Sequence, residues 1–415
     1  MTTNYAAFVA LDWGDEKHAF VLTTAEGQRE RGVFEATAES VHGWLDQLQT
    51  RFSGAAIAVA LEAGKSGFLH ALLSRPWITV YPIHTAASEH WRKTFVASGA
   101  KDDVPDAEVL LELLVHHRPV LRAFTADTEL TRRLGALVEI RRRLVNERTN
   151  LTQELISDLK LYFPQALELI GKNHSAPLAL DLLTRWPELA ALQQARAATV
   201  RAFYFAHNVR RPGVIDTRLA FIRTARPLLT DRAVIEPAIL HVQAVVALLR
   251  PLNKHIAEIE AEIERVFEAH PDAALFRSLP GAGATFAPRL LVAFGSDRDR
   301  YRDPSELQKH AGIAPVRERS GRQVWVHWRW NAPCFLRQSF VEWAGETVVH
   351  CAWAKAYYFQ HKRAGKRHQA ILRALAFKWI RILWRCWHDH VPYDDARYVA
   401  ALHRRNSPVA VALAA

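Results

Sequence analysis

Apolar residues follow two regimes along the chain. In the first 85 or so residues they form short runs, some alternating and some continuous; beyond residue 128 they recur every three to four positions. Tyr5–Leu11 and Ala19–Thr24 are short apolar runs rich in strand formers, and Gly27–Ala36 alternates, so three strands are expected. Glu39–Phe52 carries Val41, Trp44, Leu45 and Leu48 at helical spacing. Ala55–Leu61 is continuously apolar, as a strand buried on both faces would be. Ser66–Leu73 predicts a helix, Ile78–Ile83 a strand, and the stretch opening at Asp103 another helix.

Three meandering strands followed by alternating helix and strand is the order of an RNase H-like sheet, here over residues 1–125. The next region, 126–270, predicts long helices. Thr128–Phe163 places Leu130, Leu137, Leu144 and Leu151 at heptad spacing, beside Leu134, Ile140 and Leu155. Its other faces carry Arg132, Arg133, Arg141, Arg142, Arg143 and Arg148. A second apolar seam runs from Ile235 to Val266. The two seams predict a coiled-coil hairpin, within one chain or between chains, around a helical insert at 164–233. Region 271–400 reads mostly helical. Residues 401–415 are expected to fray. The fold class expected is therefore α/β plus α.

Composition narrows the function. The chain has 415 residues, 49% of them hydrophobic and 23% charged, which is ordinary for folded protein. Its formal net charge of +11 favours a polyanionic partner. Three cysteines, Cys334, Cys351 and Cys386, fit no zinc spacing and predict reduced thiols. The first residues lack a basic stretch followed by a long apolar core, and no run of about 18 apolar residues occurs. A cytoplasmic protein without a membrane segment is expected.

Four acids stand out. Asp12 follows the first predicted strand in LDWG, and Glu62 ends the fourth in LEAG. Asp103 and Asp106 lie three apart in KDDVPDAEVL, on one side of a helix start, with Asp102 competing for the place of Asp103. Pro105 suits a first helical turn, which needs no amide donor. Converging carboxylates repel one another unless a cation is present, and hard oxygen ligands suit Mg²⁺ or Mn²⁺. Two such ions about 4 Å apart align an in-line phosphoryl displacement. Taken singly, each acid also fits a turn, an N-cap or a helix dipole.

The LDWG, LEAG and KDDVPDAEVL segments resemble the D…E…D…D pattern of the RuvC-like DEDD transposases of insertion-sequence family 110, the bridge-RNA-guided recombinases. A second block agrees. Pro280-Gly281-Ala282-Gly283 looks like a helix-hairpin-helix turn, in which Gly281 and Gly283 let amides approach phosphate. Beyond it, GIAPVRERSGRQVWVHWRWNAP is similar to the serine-bearing domain of that family. Carried over, Ser320 is the nucleophile, with Arg317, Arg319, Arg322 and Arg329 around it. Read without the resemblance, Ser320-Gly321 also suits a tight turn between strands. The tail from Ala356 to Asp394 matches the family's C-terminal pattern as well. The resemblance implies an insertion-sequence transposase with DNA as substrate, a structured guide RNA, Mg²⁺ or Mn²⁺, a transient phosphoserine link, and a homo-oligomer with shared active sites. A hydrolytic resolvase-type nuclease and a non-catalytic nucleic-acid scaffold are the alternatives.

Overall fold

The computed structural model describes residues 4–62, 67–84 and 103–414. Asp102 lies outside that set, as do Lys93 and Lys101, which by charge fit either a phosphate contact or a solvated face. Its contacts divide the chain into two compact units, Met1–Ala126 and Asp127–Ala415.

The first unit is a mixed sheet in the order β3-β2-β1-β4-β5. β1 (Ala7–Trp13), β2 (Lys17–Thr24) and β3 (Arg29–Glu35) are an antiparallel meander. β4 (Ile57–Glu62) runs parallel to β1, and β5 (Ile78–Ile83) parallel to β4. The crossovers carry α1 (Ala38–Arg51) and α2 (Gly67–Leu73). The Thr37 hydroxyl caps α1 by accepting from the Ser40 amide. β1 extends two residues beyond its apolar run, because Asp12 and Trp13 stay paired with Ala19 and His18 of β2.

Alternation along β1 and β4 sends side chains to two different layers. Ala7, Val9, Leu11, Ile57, Val59 and Leu61 pack with Val41, Trp44, Leu45 and Leu48 of α1. Ala10, Ala58 and Ala60 face the other way, against α3 (Asp103–His117) through Ala107, Leu110, Leu111 and Leu114. The small alanines on that face let the helix lie close to the sheet.

The second unit is helical around two long antiparallel helices, α4 (Glu129–Tyr162) and α10 (Arg232–Glu268). Arg133 reaches Glu262 at 2.7 Å, while Asp158 reaches His241 at 2.7 Å at the far end. The hairpin is thus closed within one chain. Between these helices lie α5 (Gln165–Ile170), α6 (Pro177–Arg185), α7 (Leu189–Gln194), α8 (Ala197–Ala206) and α9 (Pro212–Thr224). They share a core with one end of the hairpin, including Leu155, Leu159, Tyr204 and Val242. By length and composition α10 is apolar enough to cross a membrane. Its buried positions, Ile235, Val242, Val246, Leu249, Ile256 and Ile263, instead recur at helical spacing along one stripe, as in a core helix.

The other end of the hairpin gives Leu134, Val138, Ile263, Val266 and Phe267 to a second core. That core holds α11 (Ala273–Arg277), α12 (Gly283–Phe294) and α13 (Pro304–His310). β6 (Val316–Ser320) and β7 (Gln323–His327) form a separate two-stranded hairpin. The chain continues with α14 (Cys334–His350), α15 (Ala352–Arg363) and α16 (His368–His388). Trp343, Trp353, Trp379 and Trp387 are fully buried here, so most of the tryptophan-rich tail builds the core. The Trp379 indole N–H donates to Thr347 Oγ1 at 2.9 Å.

Most of the tail expected to fray is helical. α17 (Asp395–Arg404) and α18 (Pro408–Ala414) bring Leu402, Val409 and Ala410 into the same core. Asp394 caps α17, and burial of these apolar groups outweighs the short length of α18.

Candidate active site

Leu11 and Leu61 are register partners on adjacent parallel strands. The next residue on each strand is acidic, and the pleat turns both Asp12 and Glu62 toward the α3 side of the sheet. Both are half-buried at the C-terminal edge of the strands.

The direction of α3 follows from its contacts. Its C-terminal neighbour Arg118 lies over the Tyr5 and Phe8 rings, at 5.1 and 5.4 Å, beside the beginning of β1. Glu112 pairs with Arg29 at 3.9 Å and Glu108 with Arg31 at 2.9 Å. Arg29 stands opposite Thr23 and Arg31 opposite Val21, so moving from Glu112 back to Glu108 approaches the Asp12 end of the sheet. α3 therefore runs antiparallel to β1, and its first turn, with Asp103 and Asp106, lies at the edge that bears Asp12 and Glu62. Asp106 is half-buried; the Asp103 backbone opens the helix, and its side chain is outside the described set.

The donor set is all carboxylate oxygen, which fits a hard divalent cation. Among the described residues, no three His, Cys, Asp or Glu side chains are grouped tightly enough to hold a metal. Register sets Asp12 and Glu62 on one edge, and the α3 backbone opens there.

Ser320 occupies a different setting. It ends β6 and pairs with Gln323 across a two-residue turn of Gly321 and Arg322. Gly321 has φ +58°, the left-handed conformation that such hairpin turns demand. The tight-turn reading and an exposed hydroxyl hold together: Ser320 is solvent-exposed at the hairpin tip. Register places it on the same hairpin face as Glu318, Trp325 and His327. Arg317 and Arg319, paired with Val326 and Val324, point to the opposite face. Arg322 lies in the turn itself. Arg329 is half-buried at the hairpin base and offers its carbonyl to Arg337 Nη1 at 3.1 Å. The four arginines expected around the serine are therefore distributed over two faces, a turn and a base.

Sequence reading missed the Glu318–His327 pair. The His327 Nε2 lies 2.8 Å from Glu318, and that hydrogen bond raises its pKa above the ordinary histidine value. The hairpin also exposes Val324, Trp325, Val326 and Trp330, with Trp330 76% accessible.

The helix-hairpin-helix-like turn has α11 and α12 on either side. Gly281 has φ +68°, and a Cβ there would meet His350 Cδ2 at 2.9 Å and Glu346 Cβ at 3.2 Å. Its bareness serves close packing against α14. Gly283, with φ +48°, opens α12 with nothing within 4 Å of such a Cβ.

Residues 9–164 match the DEDD transposase family of IS110, described as "Transposase", and residues 273–359 match "Transposase IS116/IS110/IS902 family". The chain belongs to the IS110 family of DEDD transposases. The strand-edge acids fall in the first matched segment and the Ser320 hairpin in the second. Among relatives, the "Mini-circle putative transposase for IS117" of Streptomyces coelicolor is 27% identical, over 95% of this chain and 97% of its own length. The "Insertion element IS900 uncharacterized 42 kDa protein" of Mycobacterium paratuberculosis is 28% identical, over 83% and 85%. The "Insertion element IS110 uncharacterized 43.6 kDa protein" of Streptomyces coelicolor is 24% identical, over 95% and 97%. This chain is an insertion-sequence transposase, and DNA is the substrate class of its family.

Proposed function

We propose that this transposase exchanges DNA strands through a covalent phosphoserine intermediate, with the first unit as an RNase H-like (RuvC-like) metal domain. The observation that carries the reading is the register that sets Asp12 and Glu62 at adjacent parallel strand ends, on the face toward α3. Parallel strand ends facing a helix start are where an α/β sheet builds a site. Asp12, Glu62, Asp103 and Asp106 would hold Mg²⁺ or Mn²⁺. When bound, such ions supply Lewis-acid charge to a DNA phosphate.

Residues of the chain do the rest. The carboxylates fix the acceptor geometry. The Ser320 oxygen forms the new bond to phosphorus, a sugar oxygen leaves with its electron pair, and the serine proton passes to solvent or base. A second sugar hydroxyl then reverses the step on another strand, so no high-energy cofactor is consumed. Exposure of Ser320 at a hairpin tip supports this role, because a buried hydroxyl cannot reach a duplex. By resemblance, a structured guide RNA selects target and donor by base pairing. The same resemblance proposes a homo-oligomer with shared active sites, and the unpaired cysteine pattern a cytoplasmic location. As working regions we keep 1–125 for metal binding, 126–270 for the long-helix middle and 271–400 for the serine domain.

The test is strand exchange with purified protein, guide RNA and both DNAs. Asp12→Asn and Glu62→Gln are expected to lose at least about a hundredfold in rate while binding DNA normally, the scale on which electrostatic catalytic groups act. Equal exchange by wild type and Asp12→Asn would overturn the metal-site reading.

A further inference from the structure

Of the six arginines named on α4, four meet carboxylates, Arg133 with Glu262 at 2.7 Å among them. Arg141 meets Glu260 at 2.6 Å, while Arg142 and Arg143 share Glu139. A guanidinium already paired releases little on meeting a phosphate.

A different surface carries the uncompensated charge. Between Ala352 and His388 the chain has Lys355, Lys362, Arg363, Lys366, Arg367, Arg373, Lys378, Arg381 and Arg385, and neither Asp nor Glu. None of these nine forms an ion pair among the described residues. Lys362, Arg363, Lys366 and Arg367 are exposed where α15 turns into α16. Arg381 and Arg385 continue the charge along the open side of α16. Crowding is evident nearby: burial, then Lys366 and Lys378, lower the His361 pKa.

The same surface is fastened to the serine hairpin. Trp328, the residue after β7, has Arg337 over its ring at 4.3 Å and Arg373 at 4.4 Å. Two guanidinium ions hold one indole, and among the described residues no carboxylate pairs with either, an arrangement that a shared anion would relieve.

We propose that the α15–α16 turn and the open side of α16 form the docking surface for the backbone of the DNA duplex presented to Ser320. Duplex DNA is chosen because the Trp328 clasp makes this surface continuous with the hairpin; the choice rests on the proposed role of Ser320. Four exposed cations on one turn would track successive phosphates without reading sequence.

The experiment is equilibrium binding of a fluorescent 30-base-pair duplex, of about 30 base pairs so as to span a typical interface, by anisotropy over a salt series. Lys362→Ala/Arg363→Ala/Lys366→Ala/Arg367→Ala is expected to lower the slope of log K against log salt by about 3.6, at roughly 0.9 per lost contact. Affinity should fall at least about tenfold at low salt. Arg133→Ala/Arg143→Ala, which removes paired arginines, should leave the slope unchanged. Arg373→Gln, which keeps the stem but not the charge, should lower the slope by about one. An unchanged slope in the fourfold variant overturns the proposal, as does a loss seen with a hairpin RNA but not with the duplex. Ser320→Ala should bind the duplex as wild type does, so failure of this surface and failure of the serine chemistry are read separately.

Discussion

Leu11 and Leu61 are paired on adjacent parallel strands, and that single register sets Asp12 beside Glu62 on the face covered by α3. A slip of one residue would turn one of the two acids toward Trp44 and Leu45, into an apolar layer. The hydrophobic alternation that folds the sheet therefore also aims the carboxylates.

Asp106→Asn keeps the size and helical position of the side chain and removes its charge. It should abolish strand exchange to the extent that Asp12→Asn does, leaving the thermal transition of the protein in place or slightly raised, since like charges at one edge repel. Exchange rates and a melting curve on the same preparations check both halves.

Gly281 and Gly283 separate packing from simple backbone freedom. Gly281→Ala combines a left-handed φ with a Cβ driven into His350 and Glu346, and should destabilise the second unit by about 2–4 kcal/mol. Gly283→Ala meets open space and should cost about 1 kcal/mol. Urea unfolding followed by tryptophan fluorescence distinguishes them, since Trp343, Trp353, Trp379 and Trp387 are buried in that unit.

His270 gives a pH dependence. It is buried; the Asp272 amide donates to its Nδ1 at 3.1 Å, so Nε2 carries the proton and donates to Thr131 Oγ1 at 2.9 Å. Burial lowers its pKa below the ordinary 6.5. Between the lowered folded value and about 6.5 the unfolded chain binds the extra proton, so this contribution is present above that range and lost as pH falls through it. Urea midpoints at about pH 7.5 and 5.5 should show the loss, and His270→Gln should show a smaller drop.

Much of the fold was legible in the chain. Ile78–Ile83 is a strand over the very residues its pattern predicts, and Thr128 and Phe163 cap the first long helix. The seam inside that helix was less so. Leu134, Val138, Leu155 and Leu159 are among its buried positions, whereas Ile140 is 40% exposed. A heptad count follows a supercoil, but this helix also packs against α12 and the insert, so its contact stripe drifts. Glu62 does end β4, because a strand end is a local feature, whereas Asp12, expected just past the first strand, lies inside β1, since its pairing with Ala19 carries the strand on. The hairpin face of Ser320 could not, because register depends on the turn at Gly321–Arg322. Neutralisation of Arg141 by Glu260 was equally hidden, since the partners lie 119 residues apart.

The covalent link is the most direct point of test. Wild-type protein, guide RNA and Mg²⁺ should be incubated with a suicide DNA substrate that releases its cut end, and the denatured product digested for mass spectrometry. The account predicts a nucleotide-bearing peptide with the modification on Ser320, absent from Ser320→Ala and from Asp12→Asn. Cleavage without an adduct, or an adduct that persists in Ser320→Ala, would contradict it.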